Sequence, residues 1–296
     1  MTKMNLTLRP ARITDRPAVE HICRTCWGRE KQDYVPQVWA EWAADPHGQL
    51  VVAEIETGVV GFAKLSRLAE GEWWLEGLRV TLDYQKQGIA RRLQTYLVDL
   101  ADQLGQGTLR FATSEKNETV HRMAVRMGFR HKTTFGYYAA PEEPTAPVPA
   151  LRRLAPGDLA ELCTSLEASP CYQASHRLYN LSWCWQPLTQ QRLRHHLAAG
   201  DVWGLQQADP RAGWLLLWAE DDEATQLGIG YVDGIGEGLG AVLHGARGLA
   251  AQRGYAQGVC VLPVQEPALM QSLVPAGYQP VWEHGIWLFE RPLFRG

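Results

Sequence analysis

The chain repeats one plan, and that repeat limits what it can fold into more than any single motif does. "LRPARITDRPAVEHI" (8–22) lies beside "LRRLAPGDLAELCTSL" (151–166): each reads as a strand, a turn ending in Asp15 or Asp158, then a helix. "GQLVVAEIETGVVGFAKL" (48–65) lies beside "GDVWGLQQADPRAGWLLLWAE" (200–220), in both cases two apolar runs around a polar turn, the mark of a hairpin. "GIARRLQTYLVDLADQLG" (88–105) lies beside "GLGAVLHGARGLAAQRG" (238–254), and Gly128–Phe129 matches Gly277–Tyr278, each followed by a last strand. A period of roughly 145–150 residues is too long for a solenoid and predicts tandem domains.

The copies divide the chain into 1–140 and 150–296, joined by 141–149. Around that joint "AAPEEPTAPVPA" (139–150) holds four prolines, favours extended backbone and reads as a linker. Each half runs strand, helix, a short second helix, three strands, helix, strand, helix, strand. A hairpin meander followed by a strand–helix–strand unit predicts an α/β (α+β) fold: a mixed, largely antiparallel sheet with helices on both faces, twice over. In the crossover helix at 88–104, Ile89, Leu93, Tyr96, Leu97 and Leu100 recur at helical spacing and predict the stripe against the sheet.

Bulk properties narrow the function classes. A hydrophobic content of 46% with 21% charged residues describes an ordinary globular chain, and a net charge of −3 carries no basic signature of nucleic-acid binding. No apolar run reaches the length of a membrane span, and "MTKMNLTLRPARITDR" lacks the apolar core of a signal peptide, so a cytoplasmic location is expected. Six cysteines in 296 residues do not suggest a disulfide framework. Cys23 and Cys26 form a CxxC, but at an amphipathic helix end and without a second pair, so neither a redox motif nor a zinc site is expected. No metal is assigned. The sequence leaves monomer or homodimer open.

"GLRVTLDYQKQGIARRL" (77–93) carries the chemistry. A strand ends at Val80, a polar turn follows, and Gly88 opens a helix whose first turn holds Arg91 and Arg92. Cations are disfavoured at a helix N-terminus by a few tenths of a kcal/mol each. A bound diphosphate reverses that sign, since the unpaired N–H groups and the dipole both favour an anion there. Many strand–turn–helix units share these features, so the turn alone decides little.

The spacing Gln85-x-x-Gly88-x-Ala90 behind "LEGLRV" resembles the Q/R-x-x-G-x-G/A signature of the GNAT superfamily of acyl-CoA-dependent N-acyltransferases. "NETVHRMAVRMGF" (117–129) is similar to that family's later helix, and the resemblance spans 7–138. It implies acetyl-CoA as co-substrate. Leu78, Arg79 and Val80 would lie along the pantetheine arm, with Leu78 and Val80 offering main-chain groups. Gln85, Lys86, Gln87, Gly88, Ile89 and Ala90 would wrap the pyrophosphate with Arg91 nearby, and Asn117 would hold the arm. The family's general-acid Tyr has its counterpart at Ala124, so no acid is carried over; His121 and Ser114 are the available substitutes.

Acyl transfer to an amine needs a group to take the ammonium proton. Glu76 is the candidate base or amine-binding group: on an alternating strand it shares a face with Trp74, Leu78 and Val80, and burial beside Trp73 and Trp74 would raise its pKa. It could instead pair with Arg79 or a loop cation. Glu72, at the strand's exposed entrance, is the weaker alternative. "DYVPQVWAEWAADPHG" (33–48), with "WLEGLRV", is similar to the histidine-type amino-acid α-N-acetyltransferase branch, which implies a small amine or amino-acid acceptor. Trp39, Trp42 and Trp74 are the candidate acceptor contacts, against core packing as their ordinary role. Protein or peptide amines, or a non-catalytic acyl-CoA-binding module, are the competing classes. In the second copy Gly238 and Gly240 persist, but Ile235 replaces the Gln/Arg, Asp233 and Glu237 bring negative charge, and Glu266 stands for Asn117. That pattern predicts a degenerate copy that has lost CoA.

Overall fold

The computed structural model describes residues 5–27, 33–143, 149–206, 209–218 and 225–294. The chain forms two compact units, one of Met1–Phe111, Thr119–Arg130 and Phe289–Gly296, the other of Ala112–Glu118 and His131–Leu288.

The first unit runs β1 (Thr7–Pro10), α1 (Arg16–Thr25), α2 (Val35–Ala44), β2 (Gln49–Ile55), β3 (Gly58–Ala69), β4 (Glu72–Val80), α3 (Ile89–Leu104), β5 (Gly107–Ser114, to Phe111) and α4 (Glu118–Arg126, from Thr119). β1 to β4 form an antiparallel meander, and β5 pairs parallel to β4. The start of α1 is fixed by Asp15, whose carboxylate accepts the Arg12 N–H at 2.7 Å and pairs with Arg9 at 2.8 Å. Arg9 also reaches Glu54 on β2, so helix entry and sheet edge are tied by one guanidinium. On one face of the sheet Val19, Ile22 and Cys23 of α1 pack with Val35, Trp39 and Trp42 of α2 over Val52 and Phe62.

The other face belongs to α3, where a Cβ on Gly61 would meet Val80 and Leu93. Its buried stripe is Ile89, Leu93, Gln94, Leu97, Val98 and Ala101. Tyr96, expected in the stripe, is exposed and Leu100 only half-buried, because the stripe follows the 3.6-residue period one position further round. Cys23 and Cys26 are free, buried thiols, and burial pushes Cys23 up to about 12.

The C-terminal residues complete this unit. Phe289 stacks on Phe111 with centroids 5.1 Å apart, Glu290 pairs with Arg110 at 2.8 Å, and Arg291 with Asp102 at 2.8 Å.

The second unit contains β6 (Arg130–Pro141, from His131), β7 (Leu151–Arg153), α5 (Leu159–Ala168), α6 (Pro170–Ala174), β8 (Leu178–Leu181), β9 (Cys184–Pro187), α7 (Gln190–Ala199), β10 (Val202–Leu205), β11 (Gly213–Trp218), β12 (Gln226–Gly234), α8 (Glu237–Gln252), β13 (Gln257–Pro263), α9 (Pro267–Leu273), β14 (Gln279–Pro280) and the start of β15 (Ile286–Leu293). Its sheet order is β6-β13-β12-β11-β10-β7, with β12 and β13 parallel, and α8 packs on it through Leu239, Val242, Leu243 and Ala246.

Two expectations change. The strand after Gly128–Phe129 lies, from His131 on, in the second unit, while 289–296 lies in the first, so the compact units do not follow a cut at 140. Either last strand has the apolar alternation a sheet needs, and sequence pattern alone does not say which sheet receives it. The hairpin β8–β9 has no counterpart among the described residues of the first copy; its turn, Ser182–Trp183, takes φ of 46° and 68° without the Gly or Asn that announces such a turn. Residues 144–148 of the expected linker lie outside the described residues. Among the described residues no helix is long and apolar enough to cross a membrane.

Truncating Phe289 to Ala removes a ring only 1% exposed. Urea unfolding of F289A is expected to show a loss of about 3–5 kcal/mol, as for other buried aromatic truncations, with the early loss falling on the first unit.

Candidate active site

β4 departs from regular alternation at one residue. Phe62 of β3 faces Arg79, but Lys64 faces Glu76, so Gly77 and Leu78 together oppose Ala63. This is a β-bulge, and Gly77 takes φ +70°, where a Cβ would stand 2.6 Å from the Trp42 ring. The extra residue turns Arg79 to the face that carries Trp74, Glu76, Lys64 and Phe62, and sends Val80 to the α3 face with Gly61. Trp74 and Glu76 therefore share a face as expected, but Val80 does not join them. Leu78 sits inside the bulge.

Glu76 is half-buried and accepts a hydrogen bond from Ser66 Oγ. Burial raises its pKa above the ordinary carboxylate value, against the opposing pull of the Ser66 bond and of the Lys64 and Arg79 charges. Arg79 is not its partner. The Arg79 guanidinium donates from Nε and Nη2 to the two Asp33 oxygens at 3.1 and 3.2 Å, beneath the rings of Tyr34 and Trp27 at 5.2 and 5.8 Å. Burial would raise the Asp33 carboxyl, but the Arg79 charge and its bonds hold it below the usual range. Lys64, buried, pairs with Asp45. Glu72 is engaged by Arg110, which also holds Glu290.

The strand's edge and the turn beyond it form one continuous feature. Pairing of β4 with β5 runs only from Glu72 and Thr108 to Trp74 and Arg110. From Leu75 to Val80 the β4 edge on that side has no β5 partner among the described residues. At the strand's end Thr81 N–H bonds to Val60 C=O, and a short helical turn spans Leu82–Tyr84. Gln85, expected on the phosphate, instead spends its amide on Val80 and Cys26 carbonyls, both at 3.0 Å, and braces the turn against the end of α1. Gln87 donates to Asp83 C=O at 3.0 Å. Lys86 and Gly88 take φ of +60° and +85°, and Gly88 caps α3.

The first helical bond is Arg92 N–H to Gly88 C=O, so the N–H groups of Ile89, Ala90 and Arg91 stand ahead of the ladder. A Cβ on Gly88 would meet only the Arg91 guanidinium, at 3.9 Å, so the approach is open. Arg91 and Lys86 are exposed. Arg92 has a different job: its guanidinium holds the Leu6 carbonyl at 2.9 Å.

The remaining expected residues separate. Asn117 belongs to the second unit, where its amide donates to Thr113 at 3.2 Å. Trp39 has no exposed surface and packs edge-on to Phe62, so it is core and cannot line a cavity. Trp42 lies under the Gly77 bulge and Trp74 is buried on β4. The exposed aromatics on this side are Trp27 and Tyr34, which sequence reasoning missed. It also missed Ser66 and Lys64, although two polar residues alternating on an otherwise apolar strand, "VVGFAKLSRLA", are the available signal. Ala124 is fully buried.

The corresponding turn of the second unit is closed. Ile235 N–H bonds to Ala212 C=O and Gly238 N–H to Ile235 C=O, and a Cβ on Gly238 would fall 1.8 Å from the Ala212 oxygen. Gly238 thus serves backbone packing, as does Gly234, where a Cβ would stand 2.9 Å from the same oxygen. Asp233 is buried, accepts from Ser169 Oγ at 2.8 Å and Gly234 N–H at 2.9 Å, and is pushed up to about 6 by burial. Glu266 caps α9 through Ala268 N–H. β12 and β13 also part, after Ile229 and Cys260, but β8 fills the gap: a Cβ on Gly230 would stand 2.2 Å from the Asn180 oxygen.

The first unit thus combines a splayed mixed sheet and an open strand edge with a glycine-capped helix start. Residues 16–129 match the model of the acetyltransferase (GNAT) family. The chain as a whole has the GNAT fold. It is similar to a GCN5-related N-acetyltransferase from Sphaerobacter thermophilus, 14% identical, with 97% of this chain and 95% of that one covered and a TM-score of 0.67. A glucosamine N-acetyltransferase region of a fungal multi-domain GH3 β-N-acetylglucosaminidase is 14% identical, over 98% of this chain and 38% of that one, at a TM-score of 0.65. A tandem GNAT protein from the clavulanic acid biosynthesis pathway is 12% identical, over 97% and 98% of the two chains, at 0.58. The comparison with curated proteins gives no match. The similarity to the histidine-type branch finds no counterpart in these comparisons.

A raised Glu76 pKa means that the folded state binds this proton more tightly than the unfolded chain. The penalty for ionising it is absent below the ordinary carboxylate pKa and grows as pH rises through the folded value. Glu76→Gln is therefore expected to raise the thermal midpoint relative to wild type at pH 7.5, and to lose that advantage at pH 4.

Proposed function

We propose that the chain is an acetyl-CoA-dependent N-acetyltransferase that moves an acetyl group to the primary amine of a small molecule or amino acid by direct attack in a ternary complex. One observation carries this reading: an unpaired β4 edge, a desolvated carboxylate on that strand, and the open N–H groups of Ile89 to Arg91 follow one another within one stretch of chain, from Leu75 to Arg91.

The residues fit the donor. An extended pantetheine arm can add to the Leu75–Val80 edge by main-chain hydrogen bonds, as any strand would. Its diphosphate suits the N–H groups at Gly88, with the Lys86 and Arg91 charges beside them. Gln85 acts at one remove, by holding the turn to Val80. Acetyl-CoA supplies the activated acyl group, and the chain supplies position and a proton acceptor. Glu76, with its affinity for protons raised, takes the ammonium proton directly or through water, and Ser66 orients it. No side chain is assigned as acid for the departing thiolate. The closed turn and filled strand gap of the second unit support one donor site per chain, with the second copy structural.

Glu76→Gln is expected to lower kcat by about a hundredfold or more, the usual scale for losing a positioned base, while acetyl-CoA affinity stays within twofold. Arg91→Ala is expected to do the reverse, weakening acetyl-CoA binding by about tenfold, as for one charge-assisted contact, with a much smaller effect on kcat. Steady-state kinetics with an amine panel and calorimetric acetyl-CoA titration separate the two. Equal losses of both quantities in both variants would contradict the assignment.

A further inference from the structure

The charges around Glu76 bear on what the acceptor amine can carry next to its nitrogen. Three ionic groups reach this carboxylate: Lys64, Arg79 and Asp45. Each cation already has an anion of its own. Lys64, whose side chain is 3% exposed, pairs with Asp45 and lies 6.0 Å from the centre of the Trp42 ring. Arg79 makes two bonds to Asp33, whose side chain is 2% exposed, and its guanidinium lies under Tyr34 and Trp27. Drawing Arg79 toward a ligand would leave the buried Asp33 uncompensated, which costs far more than a surface contact returns, and drawing Lys64 away would break the ion pair that neutralises its own buried ammonium. Among the described residues Glu76 has only the neutral Ser66 hydroxyl. Among these five groups the site is left with one unbalanced negative charge, and it sits on Glu76.

A lone carboxylate of this kind complements one ammonium. An α-amino acid brings its carboxylate two bonds from that ammonium, hence within a few ångströms of Glu76, where among the described residues both cations that face Glu76, Lys64 and Arg79, are already committed. Like charges at such a distance in a partly desolvated site repel strongly. We infer that the acceptor is a small monocationic primary amine with no carboxylate beside its nitrogen, and that free α-amino acids are disfavoured by the Glu76 charge. This narrows the acceptor named above and rests on Glu76 being the group that meets the amine.

The test is a matched panel at saturating acetyl-CoA: phenethylamine, phenylalaninamide and phenylalanine; histamine, histidinamide and histidine; isobutylamine, valinamide and valine, with CoA release followed by thiol detection. The expected result is a kcat/KM for amines and amides at least tenfold above that of the matching free acids. Asp33→Asn is expected to narrow this ratio, because Arg79 is then free to receive a carboxylate; its melting curve and acetyl-CoA affinity verify that the variant is folded and loaded. Free acids accepted as well as their amides would overturn the inference while leaving the acetyltransferase reading intact. An unchanged ratio in folded Asp33→Asn would overturn its charge argument. Acetyl-CoA binding without turnover of any amine would overturn both.

Discussion

Everything distinctive about the first unit follows from where β4 stops pairing with β5. Three residue pairs hold the two strands parallel, from Glu72 and Thr108 to Trp74 and Arg110. The backbone groups of the next six β4 residues are then left on an edge inside the unit. Exposed edges are normally covered or blunted; this one leads into a turn whose last residue, Gly88, adopts the left-handed conformation that starts α3 with its N–H groups open. The Gly77 bulge lies in the same six residues and rotates Arg79 onto the face of Glu76, where Asp33 takes it up. Strand divergence, bulge and helix start thus form one device, with the carboxylate at one end and the open helix-start amides at the other.

The second unit shows what the same plan becomes when each part of that device is used for packing. β12 and β13 diverge in the same way, after Ile229 and Cys260, and the space goes to Asn180 of the inserted hairpin. Gly238 persists, yet what it permits, together with Gly234, is the close approach of the 212–213 turn to the start of α8. Asp233, the acid that sequence reading placed against a diphosphate, is buried and satisfied by Ser169 and Gly234. Retention of glycine is therefore compatible with opposite roles: an open approach to a ligand at Gly88, and backbone against backbone at Gly238.

Much of the first site was legible because it is local. The spacing Gln85-x-x-Gly88-x-Ala90, the strand ending at Val80 and the amphipathic start of α3 lie within one strand–turn–helix unit, and their geometry follows from turn chemistry and helix ends. What sequence reading missed is non-local. It gave Gln85 to the phosphate, because nothing in the sequence shows that the Cys26 carbonyl comes within 3.0 Å of its amide. Strict alternation put Val80 with Glu76; a glycine inside a strand was the warning of a bulge, and Gly77 was not used. Sequence composition makes the tryptophans at 39, 42 and 74 candidate acceptor contacts, whereas their packing leaves all three buried. The exchange of last strands is invisible to any local reading, since Phe289 and Phe111 are far apart in sequence and meet only as stacked rings.

The central claim is that one strand–turn–helix unit, residues 76–91, holds the acyl donor and that its counterpart at 233–240 does not. Calorimetric titration of the full chain with acetyl-CoA tests this most directly, in the wild type and in a Lys86→Glu/Arg91→Glu double variant. The account predicts one equivalent bound per chain in the wild type and none detectable in the folded double variant. Two equivalents per chain, or one that survives the double charge reversal, would contradict it.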